Sequence, residues 1–453
     1  MAKTYRSYLP DQPLLLPPDL RNWLEPGHIA HFIDEVGEGL DLSAIYGVYE
    51  REERGFPPYH PEMMVKLLLY GYCTGMFSSR KLARALHENI AFRFLSRDNY
   101  PDFRTISEFR RIHLQALAGL FMQVLRLAQE AGVVKLGKVA LDGTKIKANA
   151  SKHKAMSWKR MLKSEGELEA EIALLLAAAK RADQEDEASG LDGLDLPAEL
   201  MLRDDRLKKI RAAKAALAAR AAEKAAAEKG LPRERQVTTA PASGGAREKP
   251  AAPKENAQYN FTDPDSRLMK GGDGFVQAYN CQASVDGETQ IIVAQDAVQD
   301  ENDKKQLDPM AKKTVKNLGG KPEALLADAG YCSEEELQTM ERRELNGIVA
   351  VGKEKHGGWL ERRAEQSPSG PLPLGLGAVA RMARKLKTKA GKALYALRKT
   401  IVEPVFGQIK RCMGFRQFSM RGKEKVKGEW SLVCTAHNLL KLHRLGVSAR
   451  GSP

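Results

Sequence analysis

Apolar residues recur at helical spacing through the first third of the chain and give way to strand-like runs after it. From Pro61, PEMMVKLLLYGYCTGM predicts a helix, with Pro61 suited to the first turn, where its missing N–H costs nothing. SSRKLARALHENIAFRFLS follows, with Ser79 as a cap and Leu82, Ala85 and Leu86 on one face. After RDNYPDFRT, ISEFRRIHLQALAGLFMQVLRLAQEAG predicts a third, long helix ending near Gly132. Residues 1–132 therefore read as a helical N-terminal domain, whose Arg-rich helix starts permit a helix-turn-helix-like DNA module.

From Val139 the period changes. Val139, Ala140 and Leu141 predict a buried strand that delivers Asp142 to its tip, followed by Gly143, Thr144 and two lysines. GFVQAYNCQASVD alternates, and with QIIVAQDAVQ after the turn DGET it predicts a hairpin. KPEALLADAGY is a short buried strand ending at Asp328, and Ser333 with Glu336 forms a capping box for the helix EEELQTMERREL. NGIVAVGK is a further strand, and a Gly/Pro stretch from Gly357 to Gly377 leads into a basic helical region. The order is three strands, a helix, a strand, a helix, a strand and a helix: an α/β domain over residues 133–445.

Residues 152–255 interrupt it. ELEAEIALLLAAAKRA and RLKKIRAAKAALAARAAEKAAAEK are built of strong helix formers, split by SGLDGLDLP, and predict an antiparallel helical hairpin. Leu231 to Glu255 is rich in Pro, Ala and Gly and reads as a flexible linker. An insertion without chemistry of its own is the plainest reading of this stretch.

At 453 residues the chain exceeds one compact core, and with 43% hydrophobic and 29% charged residues it can build two or three in water. No apolar run approaches the roughly 18–20 residues of a membrane span, and the N-terminal LLL run is too short for a secretory signal. Five scattered cysteines without a CxxC pair suggest reduced thiols in a cytosol, and with nine His at no ligand spacing they argue against zinc. The net charge of +14 is concentrated: Arg381 to Lys427 holds 15 Lys and Arg against two acids, Glu403 and Glu424. So local a basic stripe suggests a phosphate-backbone partner rather than a mixed-sign solubilising surface.

Three carboxylates then stand out. If the strands before Asp142 and Asp328 are parallel neighbours, both acids emerge at one sheet edge, where ligands of such sheets bind. Glu403 stands in the basic stripe. Three carboxylates suit hard divalent ions, Mg²⁺ or Mn²⁺, and two such ions clamp a phosphodiester for cleavage. The surrounding lysines would meet DNA that bare acids repel. Each acid also has a plain alternative: a turn residue at Asp142, an Asx turn at Asp328, a helix-start acid at Glu403.

LDGTKIKANAS, DPDSRLMK, GFVQAYNCQASVD, LADAGY and VEPVFGQIKRCMGFRQF, in this order, resemble the DDE transposases of bacterial insertion sequences, with GEWSLVCTAHNLLKL as their closing helix. Residues 15–130 resemble the helical N-terminal domain of that family. The resemblance implies a ribonuclease-H-like fold and a catalytic triad Asp142, Asp328 and Glu403 holding two Mg²⁺ or Mn²⁺ ions. It further implies double-stranded DNA as partner, a homodimer in the synaptic complex, and a cytoplasmic, nucleoid-associated protein. The family signature places Tyr seven and Arg four residues before the glutamate and Lys seven after it. Lys410 matches, whereas Ala396 and Lys399 occupy the other two positions, with Tyr395 and Arg398 one residue further upstream. Lys399, Lys410, Arg411, Arg416 and Arg421 are the expected DNA contacts. The implied function is transposition, with a non-catalytic DNA-binding protein or inactive relic, and a plain nuclease on the same fold, as alternatives.

Overall fold

The computed structural model of the chain describes residues 19–51, 57–182, 196–228, 252–271, 274–352, 368 and 375–448. Most of the expected linker at 231–255 and of the Gly/Pro stretch at 357–377 lies outside them. The described N-terminal residues form α1 (Ile29–Gly39), α2 (Ser43–Tyr49), α3 (Pro61–Cys73), α4 (Ser79–Glu88), α5 (Ile90–Ser96), α6 (Phe103–Ile112) and α7 (Leu114–Glu130). Two expected helices are each divided in two. Asn89 turns extended and its Oδ1 accepts from the N–H groups of Ala91 and Phe92, capping α5. His113 leaves helical geometry and its ring pairs with the Tyr49 hydroxyl at 3.0 Å, separating α6 from α7. α3 is central, buried along its length except for Glu62. Its one cation, Lys66, is held at 2.8 Å from the buried Asp34, which also takes Arg97 at 2.9 Å, so the ions enter the core already paired.

β1 (Lys138–Lys147) opens a mixed sheet. The chain then leaves through β2 (Ala155–Ser157), α8 (Trp158–Ala182), α9 (Leu196–Glu228) and β3 (Gln258–Asn260). It returns as β4 (Arg267–Gly271), β5 (Gly274–Asp286), β6 (Ile292–Val298), α10 (Leu307–Leu318), β7 (Ala324–Ala327), α11 (Glu334–Arg342) and β8 (Gly347–Val349). The described chain ends in α12 (Ala378–Lys387), α13 (Lys389–Gly407) and α14 (Lys423–Arg444). β1 lies between β5, antiparallel, and β7, parallel; β8 extends the sheet parallel to β7, while β4 and β6 share the far edge of β5. The inserted helices α8 and α9 pack on each other over a small core of their own, Met161, Leu168, Leu207, Ile210 and Leu217. At their base, β2 pairs with β3.

One buried cluster runs without a break from Ala30 to Leu442, joining the N-terminal helices to the sheet. α14 makes the junction. On one side its Gly428 lets Leu114 of α7 come close enough that a Cβ would sit 2.6 Å from Leu114 Cγ, and Ser431 bonds to Ala118 O. On the other, Asn438 both donates to and accepts from the backbone of Ile292 in β6, and Trp430 donates to Gln282 O. The N-terminus of α14 is capped by the DPDS segment: Gly422 N–H donates to Asp263 and Lys423 N–H to Asp265, at 3.1 and 3.0 Å. An aromatic relay of edge-on rings, Tyr72, Phe77, Phe415, Phe418 and Tyr279, also crosses from α3 to β5 through the segment that follows α13.

The buried Glu429 of α14 ties these parts together. It accepts from the N–H groups of Ser419 and Met420 at 3.0 and 3.1 Å, from the Ser419 hydroxyl, and from the Tyr72 hydroxyl at 3.4 Å. Burial pushes its carboxyl above the usual range, while the Ser419 hydroxyl and the Arg110 guanidinium pull it back. Glu429→Ala strips the Ser419 and Met420 N–H groups and the Ser419 and Tyr72 hydroxyls of a buried acceptor. Urea denaturation of this variant should show a loss of about 3–5 kcal/mol.

Candidate functional site

β1 and β7 pair in parallel with Leu141 opposite Ala327, so the next residues, Asp142 and Asp328, stand side by side. β7 ends there, whereas β1 runs on to Lys147 against β5, so Asp142 lies within its strand and not at the tip that the sequence suggested. Val139–Leu141 and Ala324–Ala327 are apolar and buried, which fixes their register. Asp142 Oδ1 accepts from Gly143 N–H at 2.8 Å, and Oδ2 faces the buried Arg398 of α13 at 3.2 Å. Burial pushes the Asp142 carboxyl up to about 6; Arg398 opposes the rise, and the charges of Asp328 and Asp303 add to it. The folded chain thus holds a proton there that the unfolded chain releases, so this group's contribution to stability falls as pH rises from the ordinary carboxylate range through about 6. Asp328 Oδ1 accepts from Gly330 N–H at 2.8 Å and starts a short turn, Ala329–Tyr331. Its Asx role and its place beside Asp142 coexist.

Alternation along β1 sends Asp142 and Thr144 to the α13 face and Gly143 and Lys145 to the α10 face. On the latter lies Asp303, in the loop before α10. Its Oδ1 accepts from Asn280 at 2.7 Å and Gln282 at 2.6 Å, with Lys145 at 3.8 Å. Gly143 makes the room: a Cβ there would stand 2.7 Å from Asp303 Oδ1 and against the Gln282 amide. Gly330 does the same beyond the end of β7, where a Cβ would lie 2.9 Å from Asp328 Oδ1 and 3.6 Å from Asp303 Oδ2. Gln282 is held in turn by the Tyr331 hydroxyl. The sequence reading missed Asp303. Its one signal is indirect, a glycine shortly after each of the paired aspartates.

α13 covers the other face. Arg398 is buried, points at Asp142 and stacks on Tyr395 at 5.9 Å, so packing turns the residue one place upstream of the signature position into the site. Lys399 is exposed on the same helix, as is Glu403, which lies about 140° around the axis from Arg398. Asp142 and Asp328 are therefore brought together, and Glu403 stays in solvent. The sequence suggested that Glu403 and Lys410 share one helical face. The structure instead passes into a π-helical turn at Gln408–Cys412. That wider turn brings Lys410 to half-burial, where desolvation and the nearby Lys145 lower its pKa and Cys281 opposes them.

The basic segment after the turn runs along the extension of β1. Lys147 N–H donates to Arg416 O, Phe418 N–H to Lys147 O, and Arg421 Nε to Asn149 O at 2.9 Å. Arg411, Arg416 and Arg421 are exposed, and Arg416 Nε donates to Lys410 O at 3.1 Å. Exposed Lys147, Lys152 and Lys154 follow on β1 and just beyond it, making a cationic border beside the paired acids. Among the described residues, no group of three His, Cys, Asp or Glu side chains is placed to hold a metal ion, and no helix is long and apolar enough to cross a membrane.

Comparison with known proteins gives two family matches. Residues 18–111 match the family described as Transposase domain (DUF772), and residues 377–443 match the family described as Transposase DDE domain. The first covers α1 to α6, and the second covers α12 to α14 with Arg398, Glu403 and Lys410. The sheet with Asp142, Asp303 and Asp328 lies between them. No curated protein and no solved structure matches the chain.

The tight fit at Gly143 is open to a direct check. Gly143→Ala places a methyl group against Asp303 and Gln282 in the central strand, and over-packing of this kind costs about 1–3 kcal/mol. Thermal denaturation should show the loss, and an unchanged midpoint would mean that the Asp303 loop yields freely.

Proposed function

Starting from a chain that carries a transposase domain at each end, and so acts in DNA transposition, we propose that it is a metal-dependent DDE transposase. It cuts DNA at the terminal inverted repeats of its element, and the freed 3′-OH attacks target DNA. The observation that carries the catalytic part is the juxtaposition of Asp142 and Asp328, each the residue after the last parallel pair of β1 and β7. We read the sheet as ribonuclease-H-like. A central β1, antiparallel β5 and β6, and parallel β7 and β8 support that reading, with β4 as a sixth strand added at the edge of β5. Residues 1–132 serve DNA binding and 133–445 catalysis, with 152–255 inserted. Because the two parts share a buried core, this division is one of task and not of separate folding units.

The donor set fits a hard divalent ion. Mg²⁺ is ordinarily held by one or two carboxylates, with water and substrate phosphate completing the shell. Asp142 and Asp328 supply the two carboxylates; burial raises the Asp142 acid and the charge of Asp328 adds to the rise, and a cation relieves both. Glu403 is the third acid by family signature, reaching the DNA from the exposed side of α13. Bound there, two Mg²⁺ or Mn²⁺ ions supply Lewis-acid stabilisation of a phosphodiester and of the attacking oxygen. Arg398 orients Asp142 and shields it from Asp328. Lys410, held between the sheet and the π-helical turn, meets a backbone phosphate next to the acids. Arg411, Arg416 and Arg421, with Lys399, carry the duplex away from the site. Two chains, one on each end, form the synaptic dimer.

Asp142→Ala, Asp328→Ala and Glu403→Ala should each abolish Mg²⁺- or Mn²⁺-dependent cleavage of end DNA while leaving binding measurable by gel shift. A variant that cleaves at near wild-type rate removes its residue from the triad. Lys410→Ala should weaken binding to all sequences alike and reduce the slope of log affinity against log salt by about one. Unchanged affinity and slope in Lys410→Glu would assign this lysine to packing alone.

A further inference from the structure

We propose that Asp303 is a positioning residue of the site, tuning how strongly the Asp142–Asp328 pair draws a divalent cation; this rests on the cation reading of that pair. The two oxygens of its carboxylate are in different situations. Oδ1 is engaged by the fully buried Asn280 and Gln282, whose amides fix the carboxylate in place. Oδ2 stands just past the end of β7, near the same vacant Cβ position of Gly330 that Asp328 Oδ1 borders. The wall behind is rigid: Gln282 also donates to Asn280 at 3.0 Å and accepts from Tyr331. A surface acid of an ordinary loop would not need two buried amides and two glycines to hold it beside other carboxylates.

Two effects follow. An ion at Asp142 and Asp328 carries water, and Oδ2 is placed to accept from that water, orienting the shell as outer carboxylates do at metal sites. Asp303 also neutralises Lys145, whose ammonium lies 3.8 Å from Oδ1 and would otherwise repel a cation at the neighbouring Asp142 and Asp328. Asp303 therefore acts through the ion's surroundings, with Asp142 and Asp328 making the direct contacts. This explains how a sheet edge with two adjacent acids serves as a cation site although no three described acids form a closed cluster.

Asp303→Asn tests the proposal, because its remaining oxygen still accepts from Asn280 and Gln282 while the charge and the second oxygen are lost. Mn²⁺ binding to the full chain without DNA, followed by the paramagnetic resonance of free Mn²⁺, should weaken about 10- to 100-fold. The unfolding midpoint in EDTA and the affinity for end DNA in EDTA should stay at wild-type values. Cleavage should be recovered as Mn²⁺ is raised. Wild-type Mn²⁺ affinity in Asp303→Asn overturns the proposal, as does a lowered unfolding midpoint with unchanged affinity, which marks a purely structural acid. Asp142→Ala separates the two ideas. If it too binds Mn²⁺ like the wild type, the cation reading of the pair fails; if it loses Mn²⁺ while Asp303→Asn does not, only the role of Asp303 falls.

Discussion

The parallel, in-register pairing of β1 with β7 is the constraint on which the site depends. Adjacent strands lie about 4.8 Å apart, so two aspartates at matched positions begin as close neighbours whatever their side chains do. Buried apolar residues up to Leu141 and Ala327 forbid a slip, because one step would turn them out of the core. The fold thus enforces a repulsive pair, and the surroundings answer it from two sides. Arg398 approaches from the helical face with positive charge. From the other face come Asp303 and Lys145, a paired acid and base that leave the sheet edge polar.

A second dependence runs through α14. By packing on α7 with one side and on β6 with the other, it makes the N-terminal helices part of the core that supports the sheet. The segment between α13 and α14 is clamped in the same way, by Glu429 below and by the aromatic relay across it. Lys410, Arg411, Arg416 and Arg421 are therefore presented from an anchored loop. Their spacing relative to the acids is set by the same contacts that join the two halves.

Much of this was legible in the residues, and the failures have physical causes. The runs before Asp142 and Asp328 are short and apolar and end in an acid, a pattern that fixes both strands; it marks the tip of β7, but β1 continues past Asp142 to Lys147 because β5 pairs with it there. The helix breaks at Asn89 and His113 were not legible, since both positions lie within continuing apolar periodicity and only the cap and the ring contact end the helix. The signature spacing drew attention to Lys399, whereas Arg398 reaches Asp142, because spacing along a helix does not say which side packing will bury. Lys410 was placed by counting α-helical turns, and a π-helical turn altered the count. Asp303 stands in QDENDKKQ, where turn-forming acids are unremarkable; only the spaces left by Gly143 and Gly330, visible in three dimensions, single it out.

The small pairing of β2 with β3 at the foot of the inserted hairpin bears on how the chain assembles. β1 is made first, and both its neighbours come much later: 126 residues (148–273) separate it from β5. Once α8 and α9 have zipped and β2 has met β3, only 20 residues of that span (148–154 and 261–273) remain as open chain. Shortening the loop this much lowers the entropic cost of closing it by about 1.6 kcal/mol. Helices that form on local contacts thus bring together two strands that would otherwise search for each other across a quarter of the molecule, and the insertion acts as a folding clip for the sheet it interrupts.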